Sequence, residues 1–332
     1  MGRVRANVRE AAIEELRAAL NRQPPEIPCK YLYDDRGSWL FEQITTLPEY
    51  FPSRCERELL RTEAAPILDA AGGDVSEVVE LGSGAAHKTA PLLHAILGSG
   101  HAPRYVAVDI SEHALKRTRE LLADEPGVAV TLVRGDYEHA LALPARSDSG
   151  QRLVIFLGGT LGNMEDSEAR ALFLRVRAEL VPGDALLVGA NLPTDHPSLE
   201  AAYNDAAGVT AEFNKNALRN VNAVCGSRFD EDDFVHHAFW NAPRRRIEMW
   251  LRAQRAVEIP LGELGGTLRL GRGEGLRTEI SRRFARAELE SLLVESALVP
   301  TGWFTSEDSR FAIAVARVPE PSALQPSSVA PQ

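Results

Sequence analysis

A run with strand character, Val78-Val79-Glu80-Leu81, leads into the turn Gly82-Ser83-Gly84, and a second such run, Tyr105-Val106-Ala107-Val108, ends in Asp109. Glycines let backbone approach a nucleoside closely, and an acid at the end of the following strand accepts hydrogen bonds from both ribose hydroxyls. A dinucleotide site asks for a third glycine, where the next helix packs against the strand and its N-terminus faces a pyrophosphate. Here that position is His87. The departure, with no convincing acid–base pair for hydride transfer, disfavours a nicotinamide cofactor. It favours a ligand with adenosine and no pyrophosphate, of which S-adenosylmethionine is the commonest.

The elements that must position this turn alternate between helical and strand patterns over residues 56–192. Strands are expected at Val75–Leu81, Tyr105–Asp109, Val128–Val133, Leu153–Leu157 and Ala185–Ala190, with helices between, which reads as a doubly wound α/β sheet. Ligands bind beyond the carboxyl ends of such strands, and Gly82, Asp109, Asp136 and Gly158 all fall there. The segment from Trp303 to Val318 has the length of a closing antiparallel hairpin. Between Pro193 and Arg282 the alternation breaks: a helix is expected around Tyr203 to Asn222, then strands at Phe234–Trp240 and Arg246–Ala256. With the first 50 or so residues this block is expected to form a second, substrate-binding domain that closes a small pocket at the domain interface. The expected division is 1–55 and 193–282 for that domain, 56–192 and 283–318 for the cofactor core, and 319–332 for a Pro- and Ser-rich tail expected to be disordered.

A chain of 332 residues is roughly twice a typical domain of about 150. Its formal net charge of -10 leaves no basic excess for a nucleic-acid backbone, and Arg244-Arg245-Arg246 reads as solvated turn charge. Cys29, Cys55 and Cys225 are odd in number and far apart, which argues against a disulfide framework and for a reducing cytoplasm. No apolar run has membrane-spanning length, and Ala6 stands where myristoylation asks for Ser or Thr. His236-His237 are neighbours on an expected strand, so they face opposite ways and do not share a metal ion. No metal site is expected, and a monomer suffices.

Long strings outside the glycine turn carry a resemblance: Tyr31-Leu32-Tyr33-Asp34-Asp35-Arg36-Gly37-Ser38, Leu47-Pro48-Glu49-Tyr50-Phe51-Pro52-Ser53-Arg54, Phe156-Leu157-Gly158-Gly159-Thr160-Leu161-Gly162-Asn163 and Thr278-Glu279-Ile280-Ser281, with Glu80-Leu81-Gly82-Ser83-Gly84. From Tyr31 to Val315 the chain resembles the histidine-specific S-adenosylmethionine methyltransferases, which make histidine betaine (hercynine) for ergothioneine biosynthesis. The resemblance implies a Rossmann-like class I methyltransferase sheet and transfer of three methyl groups to the α-amino nitrogen of L-histidine.

It also implies roles. Gly82 and Lys88 approach the methionine part of the cofactor, Asp109 holds ribose, and Asp136 and Tyr137 meet the adenine. Asn163 and Tyr203 hold the substrate carboxylate, Tyr50 and Glu279 contact the imidazole with Ser281 close by, and Met249 lines the pocket. The Gly158 carbonyl and the Tyr33 hydroxyl lie near the amine, where Tyr33 positions it and relays a proton. Without the resemblance, Met249 reads as strand core, and a solvated acid beside Arg277 is the lesser reading of Glu279. A relative acting on another aromatic amino acid, such as tryptophan, is the alternative, and a noncatalytic binding module is weaker still because it gives the polar pocket residues no purpose.

Overall fold

The computed structural model describes residues 2–84, 86–123, 125–135, 143, 145–146 and 150–320, with side chains from residue 9 onward in the first helix. Asp136, Tyr137 and the tail from residue 321 lie outside the described residues. The chain divides into two compact units, Met1–Arg54 with Thr194–Arg283, and Cys55–Pro193 with Phe284–Gln332.

In chain order the elements are α1 (Gly2–Leu20), α2 (Asp35–Thr46), α3 (Pro52–Thr62), α4 (Ala64–Ala71), β1 (Val75–Leu81), α5 (Ala90–Gly98), β2 (Arg104–Asp109), α6 (Glu112–Leu122), β3 (Ala129–Arg134), β4 (Gln151–Phe156), α7 (Asp166–Ala178), β5 (Ala185–Asn191), α8 (His196–Tyr203), α9 (Val209–Cys225), β6 (Phe234–Asn241), β7 (Arg246–Ala253), β8 (Val257–Pro260), β9 (Thr267–Leu270), β10 (Gly275–Arg282), α10 (Arg286–Glu295), β11 (Val299–Thr305) and β12 (Phe311–Arg317).

The second unit holds a seven-stranded sheet of order β11-β12-β5-β4-β1-β2-β3. β1 to β5 pair in parallel, and β12 enters antiparallel to β5. The central strands are apolar on both faces because helices cover both. Val78, Leu153, Leu187 and Ile313 pack with α4 and α5 residues such as Ile67 and Leu93. Val79, Val154, Val188 and Ala314 pack with Phe173 of α7 and Leu293 of α10. Strand order reverses between β1 and β4, which opens a crevice at their carboxyl ends. This is the class I methyltransferase sheet.

The first unit is built on the antiparallel sheet β10-β7-β6, with the short ribbon β8-β9. Two expectations need correction here and in the core. The helix expected around Tyr203 to Asn222 starts later, at Val209: Tyr203 is the last residue of α8, Asn204 caps it, and Asp205 accepts from the amides of Val209 and Thr210 at 2.9 and 2.8 Å to start α9. The closing hairpin begins at Val299 rather than Trp303, since a register shift between Pro300 and Gly302 lets the strand start early despite its proline. No helix among the described residues is long and apolar enough to cross a membrane.

Candidate active site

In the sheet unit, the glycine turn is fixed from below. The amides of Gly82 and Ser83 both donate to the Val108 carbonyl, at 2.8 and 3.1 Å. Gly82 and Gly84 take φ of 70° and 54°, a region in which side-chain-bearing residues are strained, and a Cβ on Gly84 would meet open space. Asp109 closes the loop: Oδ2 accepts from the Gly84 amide at 2.9 Å and Oδ1 from the Ser111 amide at 2.8 Å. Burial nevertheless pushes its carboxyl above the usual range. Each oxygen keeps a second lone pair, so this donor and acceptor set fits a vicinal diol beside an open glycine turn, as an adenosine ribose requires. The acid therefore has a loop-organising duty that the sequence reading did not include.

Before the turn, Glu80 is buried, and its Oε2 accepts from Thr89 Oγ1 at 2.6 Å and from Tyr105 Oη. Desolvation raises its pKa to about 7. Lys88, expected near the cofactor, has an internal partner that the sequence did not reveal. Its Nζ lies 2.7 Å from Oε2 of fully buried Glu56, whose Oε1 accepts from the Gly158 amide at 2.7 Å. One carboxylate thus ties a lysine on the β1 side to the turn after β4. Gly158 has φ 81°, and a Cβ there would stand 3.3 Å from Lys88 Nζ. Asn163 closes the following 3-10 turn, Thr160–Asn163, and its side-chain amide makes no hydrogen bond among the described residues.

Glu56 also explains a glycine. A Cβ on Gly189 would stand 2.3 Å from Glu56 Oε1 and 3.0 Å from the Phe311 ring. We expect Gly189→Ala to destabilise the protein by about 1–3 kcal/mol, because neither neighbour can give way without strain. Urea unfolding measures it, and an unchanged midpoint would remove the steric role of Gly189.

In the other unit, β10 carries Glu279 and Ser281, and a bulge decides their direction. Arg277 pairs with Trp250 and Glu279 with Met249, so Thr278 is an extra residue in the ladder. Trp250 and Met249 are neighbours on β7 and face opposite ways, so the bulge turns Arg277 and Glu279 to opposite faces. Arg277 joins Glu26 at 2.6 Å and lies near Glu248 on its own side. Glu279 shares a face with Met249 and Ser281 and is 9% exposed. No hydrogen-bond donor among the described residues reaches its carboxylate, and burial raises its pKa to about 8, with Arg283 pulling it back.

Ser281 Oγ receives two donors, Tyr203 Oη at 2.7 Å and Arg283 Nη1 at 2.9 Å. Tyr50 stacks edge-on against Tyr203 with centroids 6.2 Å apart, and Phe41 links Tyr50 to Tyr33 at 6.1 and 5.5 Å. The unit therefore brings together Tyr50, Tyr203, Ser281, Glu279 and Met249, with Tyr33 two rings away. Tyr203, expected at the carboxylate, is bonded to Ser281, expected at the imidazole.

A scan of family descriptions matches residues 12–318 to "Histidine-specific methyltransferase, SAM-dependent". Histidine N-alpha-methyltransferase of Mycolicibacterium smegmatis is 41% identical over 310 residues, covering 92% of this chain and 95% of that protein. The protein of the same name in Mycobacterium tuberculosis is 40% identical over 301 residues, covering 90% and 92%. The chain belongs to the histidine-specific, S-adenosylmethionine-dependent methyltransferase family. Ergothioneine biosynthesis protein 1 of Neurospora crassa is 32% identical over 242 residues, 67% of this chain and 27% of that protein.

Within this family member, the polar groups that sequence reasoning missed are buried partners. Besides Glu56, they include His236, which the sequence treated as packing or surface. Its Nδ1 accepts from Asn214 Nδ2 and its Nε2 donates to the Tyr203 carbonyl, both at 2.8 Å, so its neighbours assign a neutral ring, as does the burial that lowers its pKa. Asn214 Oδ1 accepts from Thr278 Oγ1 at 2.5 Å, which ties the bulge to α9 and, through His236, to the end of α8. The only signal in the sequence was polar residues at apolar-face spacing.

Proposed function

We propose that the chain transfers methyl groups from S-adenosylmethionine to the α-amino nitrogen of L-histidine, three in succession, giving the trimethylated betaine. Family membership supports the cofactor and the acceptor. The observation that carries the acceptor is Glu279, a buried carboxylate without a donor among the described residues, on the same strand face as the Ser281 hydroxyl. Neutral imidazole offers one N–H and one acceptor, which answers both groups. A hydrocarbon side chain would leave the acid unpaired, at a cost on the order of several kcal/mol, and an indole, whose N–H can only donate, would leave the Ser281 hydroxyl without an acceptor.

S-adenosylmethionine, when bound, supplies a methyl group already activated on a sulfonium. The chain's task is then orientation, worth on the order of several kcal/mol when reacting atoms are held near contact. We assign Gly82, Lys88 and Asp109 to the cofactor, with Asp136 and Tyr137 for adenine from outside the described residues. Asn163 and Tyr203 take the carboxylate, Tyr50, Glu279 and Ser281 the imidazole, Met249 the pocket wall. The Gly158 carbonyl and Tyr33 hydroxyl position the amine, and Tyr33 passes on the proton it must shed before each attack. Mass spectrometry of the pure protein with S-adenosylmethionine and each of the 20 common amino acids tests this reading. Histidine should gain one, two and three methyl groups; methylated tryptophan as the dominant product would replace it with the alternative.

The raised pKa of Glu279 gives histidine binding a sign. At pH 7 the free protein holds a proton on Glu279, whereas the imidazole N–H needs the carboxylate, so binding expels that proton. Affinity should rise from about pH 6.5 through the Glu279 pKa of about 8 and level near about pH 9, where Glu279 is largely ionised before histidine binds. Calorimetry in buffers of different ionisation enthalpy should show close to one proton released at pH 7. Zero release would mean that the pair retains the proton.

A further inference from the structure

Arg283 is 2% exposed, makes no ion pair within 4 Å among the described residues, and leaves Nε and Nη2 buried without partners. A buried guanidinium in this condition costs stability, and Tyr203 and Ser281 of the proposed site are its neighbours. Its Nη1 donates to Ser281 Oγ at 2.9 Å and to the carbonyls of Ser281 and Arg282 at 3.1 Å each. The guanidinium carbon is 5.9 Å from the centre of the Tyr203 ring. Arg283 lies two residues beyond Ser281, immediately after the end of β10, and its guanidinium turns back onto the Ser281 hydroxyl.

We infer that Arg283 is a substrate-positioning residue that acts through Ser281, holding its hydroxyl as a hydrogen-bond donor for the acceptor nitrogen of a neutral imidazole. The reason is lone-pair arithmetic. A serine hydroxyl has one proton and two acceptor sites, and a guanidinium can only donate. With Arg283 on one acceptor site and Tyr203 on the other, the proton is what Ser281 has left to offer. If Tyr203 turns its proton to the substrate carboxylate, Arg283 is the partner that stays. Glu279 then meets the N–H edge and Ser281 the bare nitrogen, so the polarity of the ring is fixed. The inference rests on the proposed histidine substrate.

A double-mutant cycle on the full chain tests it, with dissociation constants for L-histidine and S-adenosylmethionine measured by calorimetry on wild type, Ser281→Ala, Arg283→Met, Arg283→Lys and the Ser281→Ala/Arg283→Met pair. Each of Ser281→Ala and Arg283→Met should weaken histidine about tenfold and leave S-adenosylmethionine within about twofold. The pair should be no worse than about twofold beyond the weaker single variant, because both remove one interaction. Arg283→Lys, which keeps a donor cation, should recover at least part of the loss. Should Arg283→Met fail to fold, Arg283→Gln completes the same cycle. Losses that multiply in the pair, or a parallel loss of S-adenosylmethionine, would overturn the positioning role while wild type still binds histidine. A wild type that does not bind histidine would instead overturn the substrate reading beneath it.

Discussion

Glu279→Ala should raise the dissociation constant for L-histidine about 10- to 100-fold and leave that for S-adenosylmethionine within about twofold. A hydrogen bond to a buried charge contributes roughly 1.5–3 kcal/mol, and the lost acceptor belongs to the imidazole edge alone. The same change should stabilise the ligand-free fold at alkaline pH. Because the folded pKa of about 8 lies above the unfolded value near 4.5, the native state holds a proton that the unfolded chain has lost, and stability falls as pH rises through that window. Alanine removes that slope. Calorimetric titration of each ligand, with urea unfolding at pH 6 and pH 9, separates the two effects. Equal losses for both ligands would make Glu279 a structural acid.

Asp109→Ala should weaken S-adenosylmethionine about 10-fold or more, and the structure adds a second consequence. The Gly84 and Ser111 amides would both lose their acceptor, so the turn should loosen and stability fall by about 1–3 kcal/mol even though the sheet survives. Asp109→Asn keeps one acceptor and should lose less stability. To tell ribose contact from loop disorder, S-adenosylhomocysteine can be compared with its 2′-deoxy analogue. Wild type should prefer the hydroxylated ligand about tenfold and the alanine variant should scarcely distinguish them. A preference that survives in Asp109→Ala would take the ribose away from this residue.

The cofactor sheet was legible because its information is local. Apolar runs such as Val78-Val79 and Leu153-Val154-Ile155 are buried on both faces, and Gly82 and Asp109 stand where strand ends demand them. The breaks were harder. The helix after Tyr203 reads as continuous in its Asn- and Ala-rich pattern, and only the capping bonds of Asp205 reveal the interruption. Thr278 shows the deepest limit. Strict alternation along Arg277-Thr278-Glu279 would put the arginine and the acid on one face, where they would neutralise each other, and a single bulged residue reverses this. Glu56 was illegible for another reason: its partners Lys88 and Gly158 come from separate segments, and nothing local in the helix marks a carboxylate that will be fully buried.

Nitrogen specificity is the most direct measurement of the account. The protein is incubated with L-histidine and S-adenosylmethionine carrying a 13C-labelled methyl group, and the product is read by proton–carbon correlation spectra. The account predicts that the labelled carbons collect, at completion, in one resonance of three equivalent methyl groups coupled through the α-nitrogen to the histidine α-proton, with both ring nitrogens unmodified. A labelled methyl on the imidazole ring as the main product would contradict it.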